Sequence, residues 1–364
     1  MTPILPIDKL YSTGVVVADL ESATLRHAEI FGVDHWEVRE FTADRLKAVR
    51  AYGRPAAATF RTATGTTPGG TVAFELVQPL TGESPFTTFR ANRKTGVSHL
   101  TLAVRDPDEW AGLRRDLAAH GLRIAASMTV DGRLDRHFID TREALGGFWV
   151  EVQVPLDGST EPPAADAHWD HSGRYQRPDG IGPIPVQGVG HFGIVVHDMP
   201  RRIEQYHRIL GVPKWGVRTW RSEPGMLESP YYRGETVDHE YFTALSQSHG
   251  FGFEIIQPTF GPSHYNRDFL DQTGEGIHHI LLTVLTAPEN WEQSVAWLES
   301  LGAPRVMGAD MAGGAASFCY FDTGPQLGGY VLEAVILNRP PDKPPSSDYD
   351  IDFDTVESED GSDQ

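Results

Sequence analysis

Apolar and polar positions along Gly274-Glu-Gly-Ile-His-His-Ile-Leu-Leu-Thr-Val284 predict a turn followed by a strand. Side chains alternate across a strand, so His279, Leu281 and Thr283 share one face, and His278, Ile280, Leu282 and Val284 share the other. For one histidine, a hydrogen-bonded core residue is the plainer account. Recurrence shifts the balance. His191 opens His191-Phe-Gly-Ile-Val-Val-His197, and His99 lies in Val97-Ser-His-Leu-Thr-Leu-Ala-Val104. A fourth copy, Tyr11-Ser-Thr-Gly-Val-Val-Val17, has Ser12 where the histidine would stand.

A helix is predicted after each of these strands. Asp198 caps the helical run Met199-Pro-Arg-Arg-Ile-Glu-Gln-Tyr-His-Arg-Ile-Leu210; Ile203, Tyr206 and Leu210 form its apolar stripe, and Gly211 stops it. The run from Asp19 to Gly32 repeats the plan. Trp110, Leu113 and Leu117 precede Gly121, and Trp291, Val295 and Leu298 precede Gly302. Each unit then closes on an apolar strand carrying one glutamate: Glu75, Glu151, Glu254 and Glu333. Two further strands between helix and closing strand give a βαβββ module, with Tyr231-Tyr-Arg-Gly and Asp238-His-Glu-Tyr-Phe-Thr-Ala-Leu as their clearest pieces in the third copy.

Ser12 to Glu75 spans 63 residues, as does His191 to Glu254. His99 to Glu151 spans 52 and His279 to Glu333 spans 54, so the chain is a duplicated pair of modules. The expected organisation is a first domain over 8–154, a linker over 155–186, a second domain over 187–338 and an acidic, disordered tail over 339–364. His168-Trp-Asp-His171 falls in the linker and is expected to be solvated.

Composition narrows the function. The net charge is −19, of which the tail from Pro340 supplies eight. No block of lysine and arginine stands out, which disfavours nucleic acid and anionic membranes as partners. Neither a secretory leader nor an apolar run of the roughly 18–20 residues needed to span a bilayer is visible. A cytoplasmic protein acting on a small molecule, as a monomer or homodimer, is expected. The single cysteine, Cys319, excludes an internal disulfide and a cysteine-rich zinc site.

If paired modules form one cup, their opening and closing strands converge. In the second half this gathers His191, Glu254, His279 and Glu333. Two buried carboxylates beside two imidazoles repel unless a cation joins them. The mixed nitrogen and oxygen set suits one divalent Fe, Mn, Co, Ni or Zn per chain, rather than Ca or Mg. A hydrogen-bonded His/Glu cluster without an ion is the alternative. The first half keeps Glu75, His99 and Glu151 but has Ser12, and is expected to be a degenerate site.

These strands and their ligand-type residues resemble the vicinal oxygen chelate superfamily, which includes glyoxalase I, methylmalonyl-CoA epimerase, extradiol dioxygenases and bleomycin-resistance proteins. The resemblance covers about residues 8–154 and 187–338, and Gly274-Glu-Gly-Ile-His-His-Ile is particularly similar to the epimerases. It implies an α+β fold of four βαβββ modules in two vicinal-oxygen-chelate domains, each a curved mixed sheet with helices outside. It implies the same four ligands, His191, Glu254, His279 and Glu333. It also implies a metal that chelates substrate oxygens and stabilises an enolate or oxyanion. Ring-cleaving dioxygenases of this superfamily have a two-histidine, one-carboxylate pattern, so the extra Glu254 points to an isomerase, epimerase or lyase. An extradiol dioxygenase and a non-catalytic binding or resistance protein remain the alternatives. Glu254 and Glu333 are candidate proton carriers, with His239, Glu240 and Tyr232 as others expected to line the cup and Arg233 as a substrate clamp.

Overall fold

The computed structural model describes residues 2–159, 161–286, 289–340 and 346–356. Each half of the chain forms one curled, eleven-stranded mixed sheet. In the first half, one module opens at Ser12–Val16 and closes at Ala73–Gly82, and the next opens at Gly96–Val104 and closes at Trp149–Pro155. The two opening strands lie antiparallel at the centre, each with its own closing strand parallel beside it. The second half repeats this with opening strands His191–Val195 and Gly276–Thr286 and closing strands Phe251–Phe260 and Val331–Leu337. The fold is therefore the predicted α+β arrangement of four βαβββ modules.

Local chemistry explains the module helices. The Asp19 carboxylate accepts from Ser22 N at the start of Leu20–Phe31, and Gly32 ends the helix at φ 74°. Asp198 accepts from Arg201 N ahead of Met199–Leu210, and Gly211 ends that helix at φ 74°. A side-chain acceptor satisfies an otherwise unpaired N–H, and glycine takes the left-handed turn without a Cβ clash.

One apolar core runs through both halves, from Val15 and Leu20 to Ile194, Tyr206 and Leu332. Tyr206 Oη donates to Leu145 O at 2.9 Å across the junction, and Tyr330 Oη lies 3.2 Å from His27 Nε2. Two glycines let the backbones interlock there. A Cβ on Gly147 would stand 2.1 Å from the Glu275 carbonyl oxygen, and one on Gly329 would stand 2.5 Å from the Thr95 carbonyl carbon.

Three expectations are corrected. Tyr231 and Tyr232 are not in the central strands of their module. They belong to an inserted hairpin, Glu228–Tyr232 with Glu235–Thr236, that pairs with Arg305–Met311 of the neighbouring module. Lys214–Arg221 takes the second-strand position instead, pairing with Glu240–Ser248. The stretch expected to be a solvated linker adds an edge strand, Ala167–Asp170, to His35–Phe41. His168 is exposed there, but His171 is fully buried, with Nε2 2.9 Å from Thr24 Oγ1.

The acidic tail is the third. Residues 341–345 and 357–364 lie outside those described, but Tyr349–Asp352 pairs antiparallel with Lys214–Val217. Lys214 Nζ meets Asp352 at 3.0 Å, and the Phe353 ring stacks on His207 at 4.1 Å. Edge pairing uses backbone groups, so the acidic side chains can stay in water. Ending the chain at Asn338 is therefore expected to cost on the order of 2 kcal/mol, lowering the melting temperature by roughly 4–8 °C in a thermal scan. An unchanged melting temperature would mean that this strand pairing contributes nothing.

Candidate metal centre

The strand registers assemble the site row by row. Glu254, Gly193 and His279 lie side by side on three adjacent strands, and His191, Leu281 and Glu333 form the next row. Gly193 is the open square between Glu254 and His279. A Cβ there would stand 1.9 Å from His279 Cε1, so only glycine lets the imidazole lean across the strand. Gly14 plays the same part for His99 in the first half.

His191, Glu254, His279 and Glu333 offer ligand atoms that all lie within 4.8 Å of one another. Glu333 Oε2 is 2.9 Å from His191 Nε2 and 3.2 Å from His279 Nε2. Glu254 Oε2 is 3.3 Å and 3.5 Å from the same two atoms. His279 is fully buried, while Glu254 is the most open of the four.

Electrostatics show what the cluster demands. Burial works against an imidazolium at His191, but Glu254 and Glu333 overcome it and raise the pKa to about 10. At His279 burial is likewise outweighed, chiefly by Glu333, and the pKa rises. Burial would raise both carboxyls, yet His279 and His191 hold Glu333, and His191 above all holds Glu254, below the ordinary range. Positive charge is needed between these carboxylates, and a divalent cation can supply it in place of protons. The donor set, two imidazoles and two carboxylates with Nε2 and Oε2 atoms converging, fits such a cation.

Behind His279 runs a second layer of imidazoles. His278 Nδ1 lies 3.0 Å from His279 Nδ1, and His278 Nε2 lies 2.7 Å from His264 Nδ1. His264 Nε2 is 3.6 Å from the Asp268 carboxylate. A partner at His279 Nδ1 fixes the ring and leaves Nε2 for the cluster.

The other predicted residues lie elsewhere. Tyr232 Oη donates to Asp268 at 2.8 Å, and Arg233 pairs with the same carboxylate at 2.8 Å. The inserted hairpin carries both to that side, away from the cavity over the cluster, so neither lines the cup. His239 is buried outside the cavity with no hydrogen-bond partner for either ring nitrogen among the described residues, and burial lowers its pKa to about 4. Glu240 is tied to Arg221 at 2.7 Å. Among these candidates, only Glu254 and Glu333 face the cavity.

In the first half, Glu75, His99 and Glu151 also converge, but a side chain that sequence reasoning missed fills the centre. Arg136 donates to both oxygens of Glu75 at 2.9 and 2.7 Å and to Glu151 through Nε. Ser12 Oγ, in the missing histidine's place, meets Thr101 Oγ1 at 2.9 Å, and Thr101 donates to Glu151 at 2.6 Å. A guanidinium thus supplies the positive charge within this cluster. Closing-strand registers show the exchange: Glu151 faces Phe138 and Glu333 faces Tyr320, so Arg136 corresponds to Phe318.

Gly193→Ala is expected to displace the His279 ring and lower bound metal at least about tenfold, since a ligand shifted by an ångström no longer closes the set. Metal analysis beside circular dichroism checks this. Full metal in a folded variant would mean that the ring has room to spare.

A family model described as Glyoxalase/Bleomycin resistance protein/Dioxygenase superfamily matches residues 12–139 and 190–321. No curated protein matches the chain. Among solved structures, a mutant of 4-hydroxymandelate synthase from Streptomyces coelicolor aligns with TM-score 0.53 at 12% identity, covering 97% of this chain and 96% of that one. Methylmalonyl-CoA epimerase from Mycobacterium tuberculosis aligns with TM-score 0.32 at 23% identity, covering 43% of this chain and 93% of that one. At 12% identity the likeness to the synthase is one of fold.

Proposed function

The chain belongs to the glyoxalase/bleomycin resistance protein/dioxygenase superfamily, and from that premise we propose that its second half is the active centre of a metal-dependent isomerase, epimerase or lyase acting on a small oxygenated molecule. The observation that carries this reading is the convergence of two imidazoles and two carboxylates within 4.8 Å. Among the described residues, neither Glu254 nor Glu333 forms an ion pair with lysine or arginine. His191, Glu254, His279 and Glu333 would hold the ion. Once bound, a divalent cation supplies Lewis-acid charge that offsets negative charge developing on a substrate oxygen.

The chain's own groups do the rest. Glu254 and Glu333 line a cavity of about 710 Å³. A carboxylate at that wall can take a proton from a substrate carbon and return it. Tyr241, Tyr265, Phe318 and Tyr320 surround the site, and Tyr265 Oη meets Tyr320 Oη at 2.6 Å. This aromatic wall lowers the local dielectric and so strengthens electrostatic interactions beside it. Glu254 is the carboxylate beyond a two-histidine, one-carboxylate set, and it favours redox-neutral proton transfer over ring cleavage.

The test is metal analysis of the purified protein with paired anaerobic and aerobic assays on carbonyl and catechol panels. Solvent deuterium entering a carbonyl compound without oxygen uptake is expected. Oxygen uptake with a catechol would replace this reading by the dioxygenase. Absence of metal, with tight ligand binding and no turnover, would replace it by a sequestering protein.

A further inference from the structure

The same cavity carries a charged group that the metal centre does not use. Arg218 lies on the wall formed by Lys214–Arg221, with Gly216 and Trp220 on its face of the strand. The neighbouring registers run Gly216 to Leu245 to Glu254, and Arg218 to Thr243 to Ile256. Arg218 therefore stands two strands across and one same-face step along from Glu254, about 12 Å between Cα positions by strand geometry. Side chains reaching inward from both ends leave room for about one aromatic ring.

The guanidinium is half-buried, and among the described residues it forms no hydrogen bond or ion pair within 4.0 Å. The Asp348 carboxylate accepts instead from Thr219 N at 2.8 Å. Buried arginines elsewhere are matched: Arg136 with Glu75 and Glu151, and Arg202 with Glu275. Arg218 sits over the Trp220 ring at 4.0 Å, and Trp220 Nε1 donates to Thr243 Oγ1 at 3.1 Å. The stack fixes a charged, planar fork without satisfying its donors.

We propose that Arg218 is the second anchor of the substrate site, and that the cavity takes an aromatic or similarly flat acid whose chelating oxygens face His191, Glu254, His279 and Glu333 and whose carboxylate meets Arg218. One guanidinium matches the two oxygens of a carboxylate. The apolar stretch between the anchors is walled by Trp220, Tyr241, Phe318 and Leu245, which suits a ring rather than a sugar or a nucleotide. The inference rests on the metal reading given above, because the chelating end needs the ion.

The probes are benzohydroxamate, which chelates a metal but has no second charge, and its 4-carboxy, 4-carboxymethyl and 4-(2-carboxyethyl) derivatives. Each is titrated into zinc-loaded full-length protein and into Arg218→Met and Arg218→Lys, with melting curves and zinc content recorded for all three. At least one carboxylated probe is expected to bind the parent about tenfold more tightly than benzohydroxamate. That advantage is expected to vanish in Arg218→Met and to persist in part in Arg218→Lys. If benzohydroxamate binds but no carboxylate improves it, or if the gain survives in Arg218→Met, the second anchor is refuted while the metal centre stands. Should the parent hold no zinc, or the zinc form not bind benzohydroxamate, the metal reading fails and this inference falls with it. If Arg218→Met does not fold, Arg218→Gln replaces it in the same comparison.

Discussion

With His279 replaced by alanine, the protein is expected to purify folded, with less than about a tenth of the parent's metal and a loss of at least about 10³ in kcat/KM. His279 Nε2 stands within 3.5 Å of both carboxylates and 3.3 Å from His191 Nε2, so its removal takes a ligand from the middle of the set. It also takes away a buried partner of both carboxylates, leaving Glu254 and Glu333 to His191 alone. Their repulsion then disfavours the empty site, and the melting temperature is expected to fall with the metal. His191→Ala should behave alike, whereas His168→Ala, on the exposed face of its edge strand, should change neither quantity. Metal stoichiometry and a thermal scan on the three variants decide the matter. Unchanged metal in both His279→Ala and His191→Ala would remove the site.

How much of this was legible follows from what fixes register. The 63-residue spacing from Ser12 to Glu75 recurs from His191 to Glu254 because a strand slipped by one residue turns every side chain to the other face. The convergence of opening and closing strands could therefore be read from spacing alone. Arg136 could not. In Leu-Asp-Arg-His-Phe it resembles a charged position on a solvated face, and only alignment to Phe318 through the closing glutamates exposes it as buried. Tyr232 and Arg233 lie away from the cup because a hairpin leaves its own module to pair with the next, and nothing local says so. In the tail, Tyr349, Ile351 and Phe353 alternate with aspartates, a strand period masked by charge. Same-sign charge argues against burial of a segment, but not against edge pairing through its backbone.

Arg136 reverses what Ser12 alone would suggest about the first half. Without it, Glu75→Gln would relieve repulsion between two carboxylates and be tolerated. With it, Glu75 accepts two bonds from a buried guanidinium, and the amide can accept only part of that set and carries no charge. Removing one partner of a buried pair leaves the other uncompensated, so Glu75→Gln is expected to destabilise the protein by about 3–5 kcal/mol. Its metal content should stay at that of the parent, expected to be one ion per chain. Glu254→Gln should do the opposite, costing most of the activity and metal for a small change in the melting temperature of the metal-free protein. Burial opposes ionisation of Glu75, yet Arg136 and His99 hold its carboxyl well below the ordinary range. The unfolded chain therefore binds a proton where the folded one does not. This contribution is complete above the unfolded carboxylate pKa of about 4 and drains as pH falls below it. The parent's stability should accordingly decline faster below that pH than that of Glu75→Gln. Arg136→Met carries the argument further, because it leaves Glu75, Glu151 and His99 converged with no cation. That variant should be less stable than the parent and should regain stability on adding zinc, with stoichiometry rising towards two per chain. Two ions in the parent, or equal loss of activity from Glu75→Gln and Glu254→Gln, would show that the guanidinium has not replaced a metal in the first half.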